Sequence, residues 1–177
     1  MATLFKSVLE KYKNDVFVET GTLWGESVEL ALECGFKTIY SIELNSEKVK
    51  FNEEKFKKEI DEGIVHIIEG DTFNVFPNVI KNVRSQATFW LDAHWDDGPM
   101  GIYKCPLPFE LQNLMQHPIR THTILIDDRR IFGQIGSNWG ENISEESIIN
   151  SLIDINPNYK ISYEDGHISN DIIVAKV

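Results

Sequence analysis

The 177 residues provide for one domain with a substantial core, and a composition of 42% apolar and 25% charged residues excludes general disorder. Seventeen basic against 28 acidic residues leave a net charge of −11, which argues against a nucleic-acid backbone as partner. No apolar run approaches membrane-spanning length, so no membrane partner is expected and a cytoplasmic setting is.

The chain opens on an amphipathic helix rather than a signal peptide, with Leu4, Phe5, Val8, Leu9 and Tyr12 at helical spacing. "DVFVET" then reads as a strand, and "GESVELALECG" as a helix closed by Gly35. "KTIYSIEL" is a second strand. "SEKVKFNEEKFKKEIDEG" is one long charged helix with Ser46 as N-cap and Gly63 as stop. "IVHIIEGD" is a third strand, followed by a short helical stretch around 73–83. "ATFWLDAH" is a fourth. The stretch from Ala93 to Pro108 is long and irregular, and loops of that length in compact domains usually carry function. "PFELQNLMQH" is a helix ending before Pro118, and "HTILIDD" a fifth strand. "SEESIINSLIDI" is a helix capped by Ser144, although Ser147 stands where a capping box needs Glu or Gln. The tail, "YKISYEDGHISNDIIVAKV", reads as two strands joined by a turn. Cys34 and Cys105 have no metal-type spacing and read as free thiols in a reducing compartment.

Strand–helix alternation of this kind predicts an α/β fold: a Rossmann-like, doubly wound, mostly parallel seven-stranded sheet with an antiparallel C-terminal edge strand, in a single domain over 1–177. Ligands of such sheets bind beyond the carboxyl ends of the strands. Acidic residues cluster at five successive ends: Glu19, Glu43, Asp71, Asp92, and the pair Asp127 and Asp128. Asp also favours turns, so one such residue would say little.

The first turn, "ETGTLWGES", has only Gly21 and Gly25, short of the three glycines of a dinucleotide fingerprint. Its acid–x–Gly–x–x–x–Gly pattern instead resembles motif I of class I S-adenosylmethionine-dependent methyltransferases. The resemblance implies S-adenosylmethionine as cofactor and runs from about Val16 to Val177. Gly21 would let the backbone approach the ligand, Glu19 would face its amino group, Glu43 would accept the ribose hydroxyls, and "EGD" ending at Asp71 would contact adenine. Thr20, Gly25 and Asp92 complete the implied cofactor set.

Asp92 after the fourth strand and Asp127–Asp128 after the fifth are converging carboxylates that a hard divalent cation would relieve. The pattern is similar to the metal site of cation-dependent sugar O-methyltransferases, which implies Mg²⁺ or Mn²⁺ at Asp92, Asp127 and Asp128. "FWLDAHW", "CPLPFEL" and "ILIDDRRIFG" also resemble small FkbM-like bacterial and large-virus methyltransferases. A small-molecule or glycan acceptor, a sugar above all, is the implied partner; a homo-oligomer stays open. Catalysis would fall to Asp92 and to His94, two residues further on, as general base; His94 as a solvated loop residue is the competing reading. Asp96 and Asp97 read as turn-forming carboxylates. His66, His117, His122 and His167 read as structural. Trp24, Trp95, Tyr103 and Trp139 fall in loops where they stack on a sugar or pack in the core. Arg129 and Arg130 grip an acceptor phosphate, balance the acids or face solvent. Three alternatives remain: a metal-independent small-molecule methyltransferase, a non-catalytic S-adenosylmethionine-binding module and, more distantly, a dehydrogenase.

Overall fold

The computed structural model describes residues 3–93, 105–135, 140 and 142–177. Its elements in chain order are α1 (Lys6–Lys11), β1 (Val16–Thr20), α2 (Glu26–Glu33), β2 (Thr38–Glu43), α3 (Ser46–Lys55), α4 (Lys57–Asp61), β3 (Val65–Glu69) and α5 (Thr72–Ile80). Then come β4 (Ala87–Leu91), α6 (Leu107–Gln116), β5 (Thr123–Ile126), a 3-10 turn at Arg129–Ile131, α7 (Glu145–Ile155), β6 (Lys160–Glu164) and β7 (Ile172–Lys176). Among the described residues no helix is long and apolar enough to cross a membrane.

The seven strands form one sheet in the order β3-β2-β1-β4-β5-β7-β6. Strands β1 to β5 run parallel, and β7 runs antiparallel to both β5 and β6. The closing antiparallel pair matches expectation; within it β6 takes the edge and β7 lies inside. Strand order reverses between β1 and β4, so the crevice for a ligand opens at their carboxyl ends.

Period-two alternation sends successive strand residues to opposite layers. Val18, Phe89, Leu91, Ile124 and Ile126 pack with Phe76 of α5, Leu111 and Leu114 of α6 and Leu152 of α7. Phe17, Trp90 and Leu125 pack on the other face with Leu9 of α1 and with Val28 and Ala31 of α2. Each fully buried Val, Leu, Ile or Phe among them contributes about 1.5–3 kcal/mol of apolar transfer.

The expected long helix after β2 is corrected in two ways. Its N-cap is Asn45, not Ser46: the Asn45 side chain accepts from the Glu47 and Lys48 amides at 2.9 and 3.3 Å. An acceptor one residue earlier satisfies the first free amides, so the helix starts there. It also breaks at Phe56 (φ −106°, ψ 22°), whose ring turns inward and is buried. The Ser144 cap holds, since its hydroxyl accepts from the Ser147 amide at 3.1 Å.

At the opposite end of the sheet from the crevice, His117 and His122 form a buried chain. The Ala87 amide donates to Nδ1 of His122, so Nε2 carries its proton and donates to Nδ1 of His117 at 3.0 Å. Nε2 of His117 then donates to the Ile80 carbonyl at 3.1 Å. Both rings are held by hydrogen bonds within the fold; burial, with His117 second, pushes His122 down to about 4.

Candidate active site

The turn leaving β1 shapes one side of the crevice. Gly21 has φ +90°, and a Cβ there would stand 2.6 Å from the Asp92 carbonyl oxygen. The chain leaving β4 therefore demands a glycine here independently of any ligand. Gly25, at φ +76°, faces the Phe56 ring, which a Cβ would meet at 2.6 Å. It packs α2 on α3 and does not line the cleft.

Glu19 is likewise redirected. It shares the face of Phe17, so its carboxylate goes under α2, accepting from Ser27 and, at 2.5 Å, from Ser41. Burial pushes it up to about 7 against those two hydrogen bonds. It braces the turn from below and does not reach the cleft. Thr20, on the opposite face, is also fully buried.

Glu43 and Asp71 do line the cleft. Each Glu43 oxygen accepts one backbone amide at 2.8 Å, Leu23 on one side and Asn45 on the other. Asp71 caps α5 by accepting from the Phe73 amide at 3.0 Å. Ile42, Leu44 and Phe73 supply apolar walls beside them. Trp24 is exposed outside this end, its ring edge-on to Phe51 at 5.3 Å.

The cavity measures about 270 Å³ and runs on to a strongly acidic end. There Asp92, Asp127 and Asp128 meet Arg130, with Thr3 and His167 on the wall. Burial, then Asp127, Asp128 and Glu19, hold the Asp92 carboxyl well above the usual range, with Arg130 pulling the other way. Asp128 sits in the left-handed region at φ 59°. Asp127, Asp128 and Asp171 each offer a carboxylate oxygen within 4.8 Å of one another. The Arg130 guanidinium bridges Asp128 and Asp171, and its amide donates to Asp171 at 3.0 Å. Thr3 donates its hydroxyl to Asp127. Arg129 turns away, pairing with Glu145 at 2.9 Å.

Three of these residues were not anticipated in these roles. Asp171 and His167 come from the β6–β7 connection: because β7 is antiparallel, its first residues lie beside the last residues of β5. Thr3 arrives from ahead of α1. His167, expected to be structural, stands on the cleft wall. His94, Trp95, Asp96, Asp97, Tyr103 and Trp139 lie outside the described residues.

An all-carboxylate donor set of Asp92, Asp127 and Asp128 fits a hard divalent cation by its chemistry. The oxygens that lie within 4.8 Å of one another, however, belong to Asp127, Asp128 and Asp171, so among the described residues Asp171 and not Asp92 completes the closest group, and Arg130 engages both Asp128 and Asp171.

No family model and no curated protein matches the chain. Solved structures do. A methyltransferase of Podospora anserina with SAH bound superposes with a TM-score of 0.65 at 15% identity, over 97% of this chain and 75% of that one. The chain shares the Rossmann-like fold of that protein. An O-methyltransferase of Bacillus cereus in complex with SAH is similar at TM-score 0.59 and 12% identity, covering 97% and 78% of the two chains. A SAM-dependent methyltransferase of Aquifex aeolicus is similar at 0.57 and 17%, covering 96% and 86%.

Proposed function

We propose that the protein is an S-adenosylmethionine-dependent O-methyltransferase acting on a hydroxyl of a sugar or glycan, assisted by Mg²⁺ or Mn²⁺. The observation that carries this reading is one continuous cavity at the switch point, with Glu43 and Asp71 at one end and the Asp92–Asp127–Asp128 group at the other. The structural neighbours bound to SAH support the cofactor.

In this reading Glu43, held by two amides, keeps lone pairs for the ribose hydroxyls. Leu44 and Phe73 flank the adenine. S-adenosylmethionine bound there would supply an activated methyl group, and a sugar hydroxyl entering from the acidic end would take that methyl on its oxygen while the C–S bonding pair stays on sulfur. The hydroxyl proton passes to a base, for which His94 is our candidate. Asp92, Asp127 and Asp128 would hold the cation, whose charge lowers the pKa of a bound hydroxyl.

Arg130 gives the metal-independent alternative its footing, since it already supplies one fixed positive charge between Asp128 and Asp171. One experiment separates the readings: methyl transfer to deoxysugars, glycosides and catechols with Mg²⁺ and with EDTA. Turnover that EDTA abolishes and Mg²⁺ restores supports the favoured reading. Turnover indifferent to EDTA supports the alternative. Binding of SAH without turnover on any acceptor supports a non-catalytic module, and absence of SAH binding removes the reading altogether.

A further inference from the structure

Helix α6 buries Leu107, Glu110, Leu111 and Leu114, the i, i+3, i+4, i+7 stripe that faces a core. One member is a carboxylic acid. Glu110 is only 1% exposed, and its Oε1 has no hydrogen-bond partner. An uncompensated buried acid is costly, so a position on the apolar stripe calls for a reason.

The surroundings supply one. Thr20, on the face of β1 turned toward α6, sets its hydroxyl against the Glu110 carboxyl, where it opposes the effect of burial. The same hydroxyl oxygen lies 3.4 Å from the Asp92 amide, which it shares with the Thr20 carbonyl at 3.2 Å. A run of contacts thus leads from α6, through β1, to the first residue beyond β4. Glu110 also lines a cavity of about 10 Å³ beneath the cleft floor, together with Ala93, Cys105 and Asp127. That is the size of a single water, and two carboxylates give it polar partners. The groups facing Glu110 are Thr20 of β1, Cys105 ahead of α6 and Asp127 after β5.

We propose that Glu110 is a positioning residue: through the Thr20 hydroxyl it fixes the Asp92 backbone at the floor of the cleft, and with it the aim of the Asp92 carboxylate. The assignment rests on the methyltransferase reading only for its kinetic consequence. Burial pushes Glu110 up to about 8, so in neutral solution it is a protonated acid with a carbonyl oxygen left to accept from Thr20. Glutamine reproduces that acceptor; leucine does not.

The test compares Glu110→Gln, Glu110→Leu, Thr20→Val and the Glu110→Leu/Thr20→Val double variant in the full chain. The first readout is the ¹H–¹⁵N shift of the Asp92 amide. Glu110→Leu and Thr20→Val should move it alike, the double variant no further, and Glu110→Gln should leave it near its original place. The second is stability against pH. The folded protein holds a proton on Glu110 that the unfolded chain has released above about 4.5, so this contribution is full below 4.5 and is lost as pH rises through about 8. Glu110→Gln should flatten that fall. The third, given an acceptor, is kinetic: Glu110→Leu should lower kcat by up to about 10²-fold, as misplacement of a reacting group does, with the KM for S-adenosylmethionine unchanged. An Asp92 amide that stays put in both Glu110→Leu and Thr20→Val overturns the proposal. So does a double variant whose shift is the sum of the two singles. Both amide results stand whether or not methyl transfer is found.

Discussion

The two ends of the cleft hold carboxylates in opposite ways. At the end lined by Glu43 and Asp71, these carboxylates accept amides from the turns around them: Asn45 and Phe73 two residues on, and Leu23 in the turn between β1 and α2. Each acid helps to build the turn that presents it. At the acidic end, Asp127 and Asp128 depend on Thr3, Arg130 and the β6–β7 connection, and Asp92 is pushed toward its neutral form by burial first and then by Asp127 and Asp128. The first end is organised by local backbone before any ligand arrives. The second concentrates like charge against one guanidinium, an arrangement suited to a cation or to a reacting hydroxyl.

Changes at the acidic end should therefore cost rate, and changes at the cofactor end affinity. The largest expected effect is from His94→Ala, which should slow single-turnover methyl transfer by roughly 10²–10⁴-fold, the usual range for losing a general base, with SAH affinity intact by calorimetry. Near-full rate across pH would pass the role to another group, with His167 on the cleft wall the next to replace. Asp127→Asn should follow, at about 10²–10³-fold in kcat, the scale of losing one fixed electrostatic group, and should weaken Mn²⁺ binding measured by paramagnetic resonance. Loss of SAH binding instead would erase the division between the ends. Glu43→Gln keeps the shape but removes the charge. A hydrogen bond to a charged group contributes about 1.5–3 kcal/mol, so calorimetry should show SAH binding weakened by roughly 10- to 100-fold. Equal affinity would place the ribose elsewhere.

Gly21→Ala tests the turn where the two ends meet. With φ +90° and the Asp92 carbonyl in the way, it should lower the urea midpoint by an amount equivalent to about 1–3 kcal/mol, before any effect on ligand. Unchanged stability with lost binding would restore the ligand as the glycine's reason. The smallest effect lies at the far end of the sheet. Folded His122 stays neutral down to about 4, whereas the unfolded chain takes up that proton near 6.5. Stability is full above 6.5 and should decline as pH falls toward 4. His122→Gln should flatten that slope while leaving SAH affinity alone; an unchanged slope would mean that the buried pair takes no part in it.

Periodicity and strand ends made much of the design legible. Alternating strands and helices declared the doubly wound sheet, and Glu43 at the end of β2, with Asp71, Asp92, Asp127 and Asp128 one or two residues past β3, β4 and β5, all line the cleft because the turns leaving parallel strands open there. Period two also carried the orientation of Glu19: two residues past the buried Phe17, it faces α2. Glu110 was equally visible as an acid on an apolar stripe.

What the linear chain determined by itself, then, is whatever depends on neighbours within a strand or turn: element order, layer, caps such as Ser144, and the row of acids along the carboxyl edge. Which residues meet across that edge was decided by the tertiary structure alone. Thr3 and Asp127 are 124 positions apart, and Arg130 and Asp171 are 41 apart. Both pairs exist because β7 inserts antiparallel between β5 and β6 and the chain ahead of α1 reaches the same rim. Contacts closed across such distances depend on sheet order, and local propensity does not encode which strands become neighbours.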